Sequence, residues 1–244
     1  MMIERLGFTI PAMLVAIVVA HAGQDGDVSF PGGGVAFDGT AVYAAPVKDV
    51  VTHPRGLTVT AWVNLDATAD SQVFLNTGAA NEGFTFYLYD GMVRMLVKNR
   101  ADGYVYAVAP APKPGEWTHY AGTYDGESVA VYMNGVLREL KNAPGQLTGL
   151  GEMLTLGGLD YGKRVVKGKL GDLRVYDRVL SETEIAAAAG GETASGPVAR
   201  WTDSGRDGDT WAAAGSTVTA RLMEAARVLL NRREDGYRGI WYYN

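Results

Sequence analysis

Along most of this chain the apolar residues recur at every second position. In LTVTAWVNL (57 to 65), Leu57, Val59, Ala61, Val63 and Leu65 share one face, and Thr58, Thr60, Trp62 and Asn64 share the other. In FTFYLY (84 to 89), Phe84, Phe86 and Leu88 oppose Tyr87 and Tyr89. Asp90-Gly91 follows, a pair that tolerates the positive φ of a two-residue hairpin turn, and MVRMLVK runs back. Asp125-Gly126 and Asn134-Gly135 repeat the device, joining WTHYAGTY to SVAVYM and then to VLREL. Meanders of this kind are antiparallel, with one face buried and the other wet. Glycine, at 32 residues, sits largely between the runs, where turns need it. The pattern predicts an all-β fold over residues 28 to 190: a two-sheet antiparallel jelly-roll sandwich.

The period changes near residue 181. LRVY (173 to 176) reads as a last strand, with Leu173 and Val175 on one face and Arg174 and Tyr176 on the other. Ser181 and Glu184 then form a capping box, Leu180 and Ile185 occupy the positions of a hydrophobic staple, and Gly190-Gly191 stops the short helix. GGETASGP opens a linker expected over 191 to 215. STVTARLMEAARVLLNRRE (216 to 234) puts Val218, Leu222, Ala225, Ala226 and Leu229 on one stripe, opposed by Arg221, Glu224 and Arg227. That spacing predicts an α-helical extension. The chain ends DGYRGIWYYN, a turn and an aromatic strand, which reads as the cut-off start of a further domain.

The first 22 residues are set apart: a polar MMIER, the apolar LGFTIPAMLVAIVVA, and a small-x-small site at Ala20-His21-Ala22. They read as a secretory signal peptide, and Gly7 and Pro11 interrupt the apolar run too early for a membrane span. The expected location is secreted, periplasmic or cell-surface. Without cysteine there is no disulfide framework and no lipid-modified cysteine anchor. A net charge of -5 offers no general attraction for nucleic acid or anionic membrane.

LTVTAWVNL, GEWTHYAGTYDGESVAVYMNG, LTLGG and GKLGDLRVYDRVLSETEI occur in an order that resembles the laminin G-like, concanavalin A-like lectin/glucanase superfamily, over residues 34 to 189. The resemblance implies an exported jelly roll that binds glycan or protein, often as a non-catalytic module, with a calcium ion in a subset of members. It points to Asp38, in F-D-G, and Asp172, in G-D-L-R-V-Y, as metal ligands. A turn aspartate bonding its own backbone is the alternative for Asp38, and a solvated strand charge is the alternative for Asp172. EDGYRGIWYYN resembles the opening of the BNR-repeat, sialidase-like propellers, which include polysaccharide-active lyases. That resemblance implies an attached enzyme domain whose catalytic site would lie beyond residue 244.

Glycanases on this fold need carboxylates alternating along one strand, and no E-x-D-x-E strand occurs here. Glu182 and Glu184 belong to the capping box, and His53 and His119 lack metal-ligand spacing. No catalytic residue is expected within these residues. Sugar recognition stacks aromatic rings on pyranose faces. Trp62, Tyr87 and Tyr89 lie off the core side of their strands, and Tyr104 and Tyr106 alternate in the next. These five are the candidate glycan-binding residues; the alternative is that ring burial alone rewards them. The function expected is polysaccharide recognition without catalysis, with structural packing or service to an attached enzyme as its rivals.

Overall fold

A computed structural model describes residues 30 to 224, apart from 31, 53 to 55, 79 to 82, 100 to 102, 160 and 161. Residues 1 to 22, which read as a signal peptide, residues 225 to 234 of the expected helix and the propeller-like end therefore lie outside the described residues.

The first strands are β1 (Val35–Asp38), β2 (Ala41–Pro46), β3 (Leu57–Leu65) and β4 (Gln72–Thr77). A meander follows: β5 (Phe84–Tyr89), β6 (Met92–Asn99) and β7 (Gly103–Pro110). Next come β8 (Thr118–Tyr124), β9 (Ser128–Met133), β10 (Val136–Asn142), β11 (Met153–Leu156) and β12 (Lys167–Tyr176). Helix α1 (Glu182–Ala189) precedes β13 (Ala199–Trp201), β14 (Arg206–Asp207), β15 (Thr210–Ala212) and β16 (Thr219–Glu224).

Two antiparallel sheets form the sandwich that the alternation predicts. One runs β1-β12-β3-β8-β9-β10, with β13 also paired to β12; the other runs β14-β15-β16-β2-β11-β4-β5-β6-β7. The core between them holds Val59, Val63, Phe84, Phe86 and Leu88, which the period of two put on one face of their strands, together with Phe74, Met95 and Leu170. The hairpin turns form as expected at Asp90-Gly91 and Asn134-Gly135, where all four residues have φ between 51° and 80°. The cap of α1 also matches. Ser181 Oγ accepts from Glu184 N–H, the Glu184 carboxylate accepts from Ser181 N–H at 2.9 Å, and Leu180 and Ile185 are buried together.

The chain after α1 departs from expectation. Residues 199 to 212 form no linker: Trp201 and Trp211 are fully buried in the main core, beside Phe37 and Tyr43. Residues 219 to 224 form a strand paired with β2, where the start of a helix was expected. The reason is arithmetic. Val218 and Leu222 are four apart, which suits one helical face and also one strand face, since four is a multiple of two. Ala220 lies between them and is buried too, and Thr217, Val218 and Thr219 are β-branched, which favours the strand. Residues 225 to 234 of the expected helix lie outside the described residues.

Candidate functional site

Both sheets have an outward face, and the two differ. On the β1-β12-β3-β8 sheet the outward face is covered. Ile185 of helix α1 and Leu180 just before the helix pack onto Ala121, Ala130, Tyr132 and Tyr176. Thr58 Oγ1 donates to Arg178 O at 2.9 Å and accepts from Leu180 N–H at 2.9 Å, so its hydroxyl is spent on this cover. Trp62 is only 1% exposed, closed over by Phe30 and edge-on to His119 with ring centroids 5.4 and 5.3 Å away. This corrects the sequence reading: Trp62 has no open face on which a sugar could stack. Phe30 reaches it because Gly171 has no side chain; a Cβ there would meet the Phe30 ring at 2.5 Å.

Asp172 is buried on the same face. Its two carboxylate oxygens accept from Arg174 and from Arg200, the latter at 2.7 and 3.1 Å, and Arg174 Nη1 donates to Glu192 O at 2.9 Å. Burial pushes the Asp172 pKa up, but the hydrogen bonds and charges of the two guanidiniums outweigh it and hold the carboxyl below its usual range. This corrects both sequence readings of Asp172. A carboxylate saturated by two cations is unsuited to a metal, and the residue is neither solvated nor free.

Asp38 lies elsewhere. It pairs across β12 with Lys167, five residues from Asp172, or about 16 Å along the strand. Its Oδ1 accepts from Thr40 N–H at 2.9 Å and Thr40 Oγ1 at 2.6 Å, the self-bonded turn that competed with the metal reading. These bonds from Thr40 hold its pKa below the ordinary value. A shallow cleft of about 400 Å³ beside it is lined by Phe37, Asp66, Lys169 and Arg206. Among the described residues no three His, Asp or Glu side chains converge as a metal site.

His119 makes this buried region sensitive to acid. Burial, assisted by the charge of Arg174, lowers its pKa from 6.5 to about 3. The unfolded chain therefore takes up a proton that the folded one refuses. The stability tied to neutral His119 is complete above pH 6.5 and falls by about 1.4 kcal/mol per pH unit below it. We expect urea unfolding to show this slope between pH 6.5 and about 5, above most carboxylate titration. His119→Phe should flatten it; an unchanged slope in that variant contradicts the assignment.

The outward face of β5, β6 and β7 is the open one. Register places Tyr87 opposite Arg94, Leu96 opposite Tyr106 and Lys98 opposite Tyr104. Tyr87 is the floor, buried with Val73, Leu96 and Leu159, and burial raises its pKa while the charge of Arg94 acts against that rise. Above it stand Tyr89, Tyr104 and Tyr106, at 44%, 55% and 37% exposure. The structure thus brings four of the five predicted aromatics onto one face and leaves out Trp62.

Cations hold these rings. Arg94 lies 4.7 Å from the Tyr89 ring centre and 4.9 Å from that of Tyr106. Lys98 lies 5.6 Å from Tyr104, Lys141 lies 4.9 Å from Tyr106, and Arg164 lies 5.9 Å from Tyr89. Lys141 belongs to β10 of the other sheet; Glu139 of the same strand pairs with it at 3.4 Å and ties the two edges together by accepting from Val108 N–H at 2.8 Å. Arg164 comes from the loop before β12, fixed by its carbonyl accepting from Val73 N–H at 2.8 Å. Sequence reasoning missed all four cations. Arg94 and Lys98 were readable, since they sit on the non-core side of MVRMLVK beside the tyrosine strands; Lys141 and Arg164 reach the face only through tertiary structure.

A family model, the Laminin_G_3 member of the concanavalin A-like lectin/glucanases superfamily, matches residues 37 to 186. The chain belongs to this superfamily. No curated protein matches the chain in sequence. Among solved structures, a Bacteroides ovatus protein described as a "putative carbohydrate binding protein" is similar at 16% identity and a TM-score of 0.60, over 75% of this chain and 55% of that one. The chain of this lectin-like fold therefore spans about half the length of that protein. A heptameric SAP-like pentraxin from Limulus polyphemus is similar at 20% identity and a TM-score of 0.46, over 63% of this chain and 84% of that one. The botulinum neurotoxin serotype D binding domain is similar at 12% identity and a TM-score of 0.46, over 57% and 38%. Among the described residues no helix is long and apolar enough to cross a membrane.

Proposed function

We propose that the chain is an exported, non-catalytic module that binds polysaccharide on the outward face of β5, β6 and β7. One observation carries the reading: Tyr89, Tyr104 and Tyr106 are exposed together on a single sheet face, each held by a cation. Exposed rings fixed before the ligand arrives lose little freedom on binding, and they offer apolar area with a polar edge to a sugar ring. Tyr104 and Tyr106 are two residues apart on β7, so their rings rise from the sheet about 7 Å apart, a spacing that suits a chain of sugars better than a single one. The fold shared with the Bacteroides ovatus protein is in keeping with this reading, as is the leader-like pattern of residues 1 to 22.

The whole chain should be retarded, relative to serum albumin, in native gels cast with at least one polysaccharide from a panel of neutral and acidic types. Retardation by none of them overturns the proposal. A second reading makes the chain the front module of a longer polysaccharide-active enzyme, supported by the propeller-like residues 234 to 244. It places the same binding face in the service of a catalytic domain.

A further inference from the structure

The outward face of β5, β6 and β7 carries more positive charge than its aromatic content requires. Arg94, Lys98, Arg164 and Lys141 all lie over its tyrosines, in a chain whose net charge is -5. Glu139 balances part of this through Lys141, and Asp90 sits exposed at the β5–β6 turn. Among the described residues no carboxylate lies within ion-pair distance of Arg94 or Arg164.

Arg94 is the informative residue. Tyr89 and Tyr106 both approach its guanidinium, the Tyr87 hydroxyl beneath is hydrogen-bonded to it, its side chain is half-buried, and its Nε is buried without a partner of its own. With no carboxylate beside it among the described residues, a half-buried guanidinium of this kind keeps its charge uncompensated, which a ligand anion would offset. Rings satisfy the faces of a guanidinium, whereas its N–H groups lie in its plane and match the two oxygens of a carboxylate or sulfate. A neutral glycan offers hydroxyls, which do not call for the two guanidiniums of Arg94 and Arg164 on one face.

We propose that this face recognises an anionic polysaccharide, with the tyrosines stacking on its sugar rings and Arg94 and Arg164 binding its carboxylate or sulfate groups. The inference rests on the reading of this face as a glycan site. It gives that site a charge class and separates it from the neutral glucans that the tyrosines alone would accept.

The test is affinity electrophoresis of the whole chain in gels containing dextran, laminarin, alginate, polygalacturonate, carrageenan or dextran sulfate. The alginate and polygalacturonate arms report carboxylate, and the carrageenan and dextran sulfate arms report sulfate. The expected result is retention on an anionic arm that weakens as salt shortens the screening length from roughly 30 Å to 3 Å. Arg94→Gln and Arg164→Gln should each weaken it about tenfold or more, as expected for a charged hydrogen bond. Lys169→Gln, on β12 of the other sheet, should leave it unchanged. Arg164 is exposed, so its variant keeps the test valid even if Arg94→Gln destabilises the fold. Retention on neutral glycans with both arginine variants unchanged overturns the anionic class and leaves the glycan site standing. Retention on anionic glycans that ignores both arginines overturns the placement, and retention on no glycan overturns the glycan site itself.

Discussion

Asp172→Asn is expected to destabilise the fold by about 3–5 kcal/mol, with the loss visible as a lower urea midpoint at pH 7. The substitution keeps the shape of the side chain and removes one charge. Arg174 is 2% exposed, so the positive charge left behind is buried and poorly hydrated. Asparagine is the fair probe because Asp172 has φ of 42°, a conformation that asparagine tolerates and alanine does not. Asp172→Ala would add backbone strain of about 1 kcal/mol or more to the electrostatic loss. The folded carboxyl has a depressed pKa, so its contribution is present above the ordinary carboxylate value and fades as pH falls below it. The asparagine variant should therefore show a weaker acid dependence below about pH 4. A loss under about 1 kcal/mol, the range of exposed pairs, would contradict a structural role for the cluster.

Trp211→Ala should cost about 3–5 kcal/mol as well, through a cavity that its neighbours cannot close. The indole is fully buried, 5.5 Å from the Tyr43 ring and 6.0 Å from Phe37, and its Nε1 donates to Thr202 O at 2.7 Å. Its own carbonyl accepts from Trp201 Nε1 at 3.2 Å, which links the two tryptophans. Against a whole-domain stability of about 5–15 kcal/mol, such a loss leaves the variant marginal. Equilibrium unfolding with an unchanged denaturant slope is the check. A loss below about 1 kcal/mol would mean that residues 199 to 212 do not share the main core.

The inward faces were legible because a period of two leaves little choice: Val59, Val63, Phe86 and Leu88 are buried where alternation puts them. The outward faces were less so. Thr58, Thr60 and Trp62 follow a half-wet pattern yet are buried, since the cover comes from α1 and Phe30, which the strand itself does not announce. Asp172 and Arg174 looked like solvated charges. Opposite charges two apart share a strand face, so their pairing was readable, while Arg200, 28 residues on, was not. Tyr89, Tyr104 and Tyr106 were found because exposed alternation on neighbouring strands is a local signal. Lys141 was not, because it arrives from the other sheet.

The claim that Tyr89, Tyr104 and Tyr106 form the binding face is tested most directly by a chain carrying Tyr104→Ala and Tyr106→Ala together. It should be run beside the parent in gels containing whichever polysaccharide retards the parent. Both rings are over a third exposed, so the double variant should fold with an unchanged unfolding midpoint. The account predicts that retardation disappears while the fold remains. Full retardation in the folded double variant would contradict it and move the site off this face.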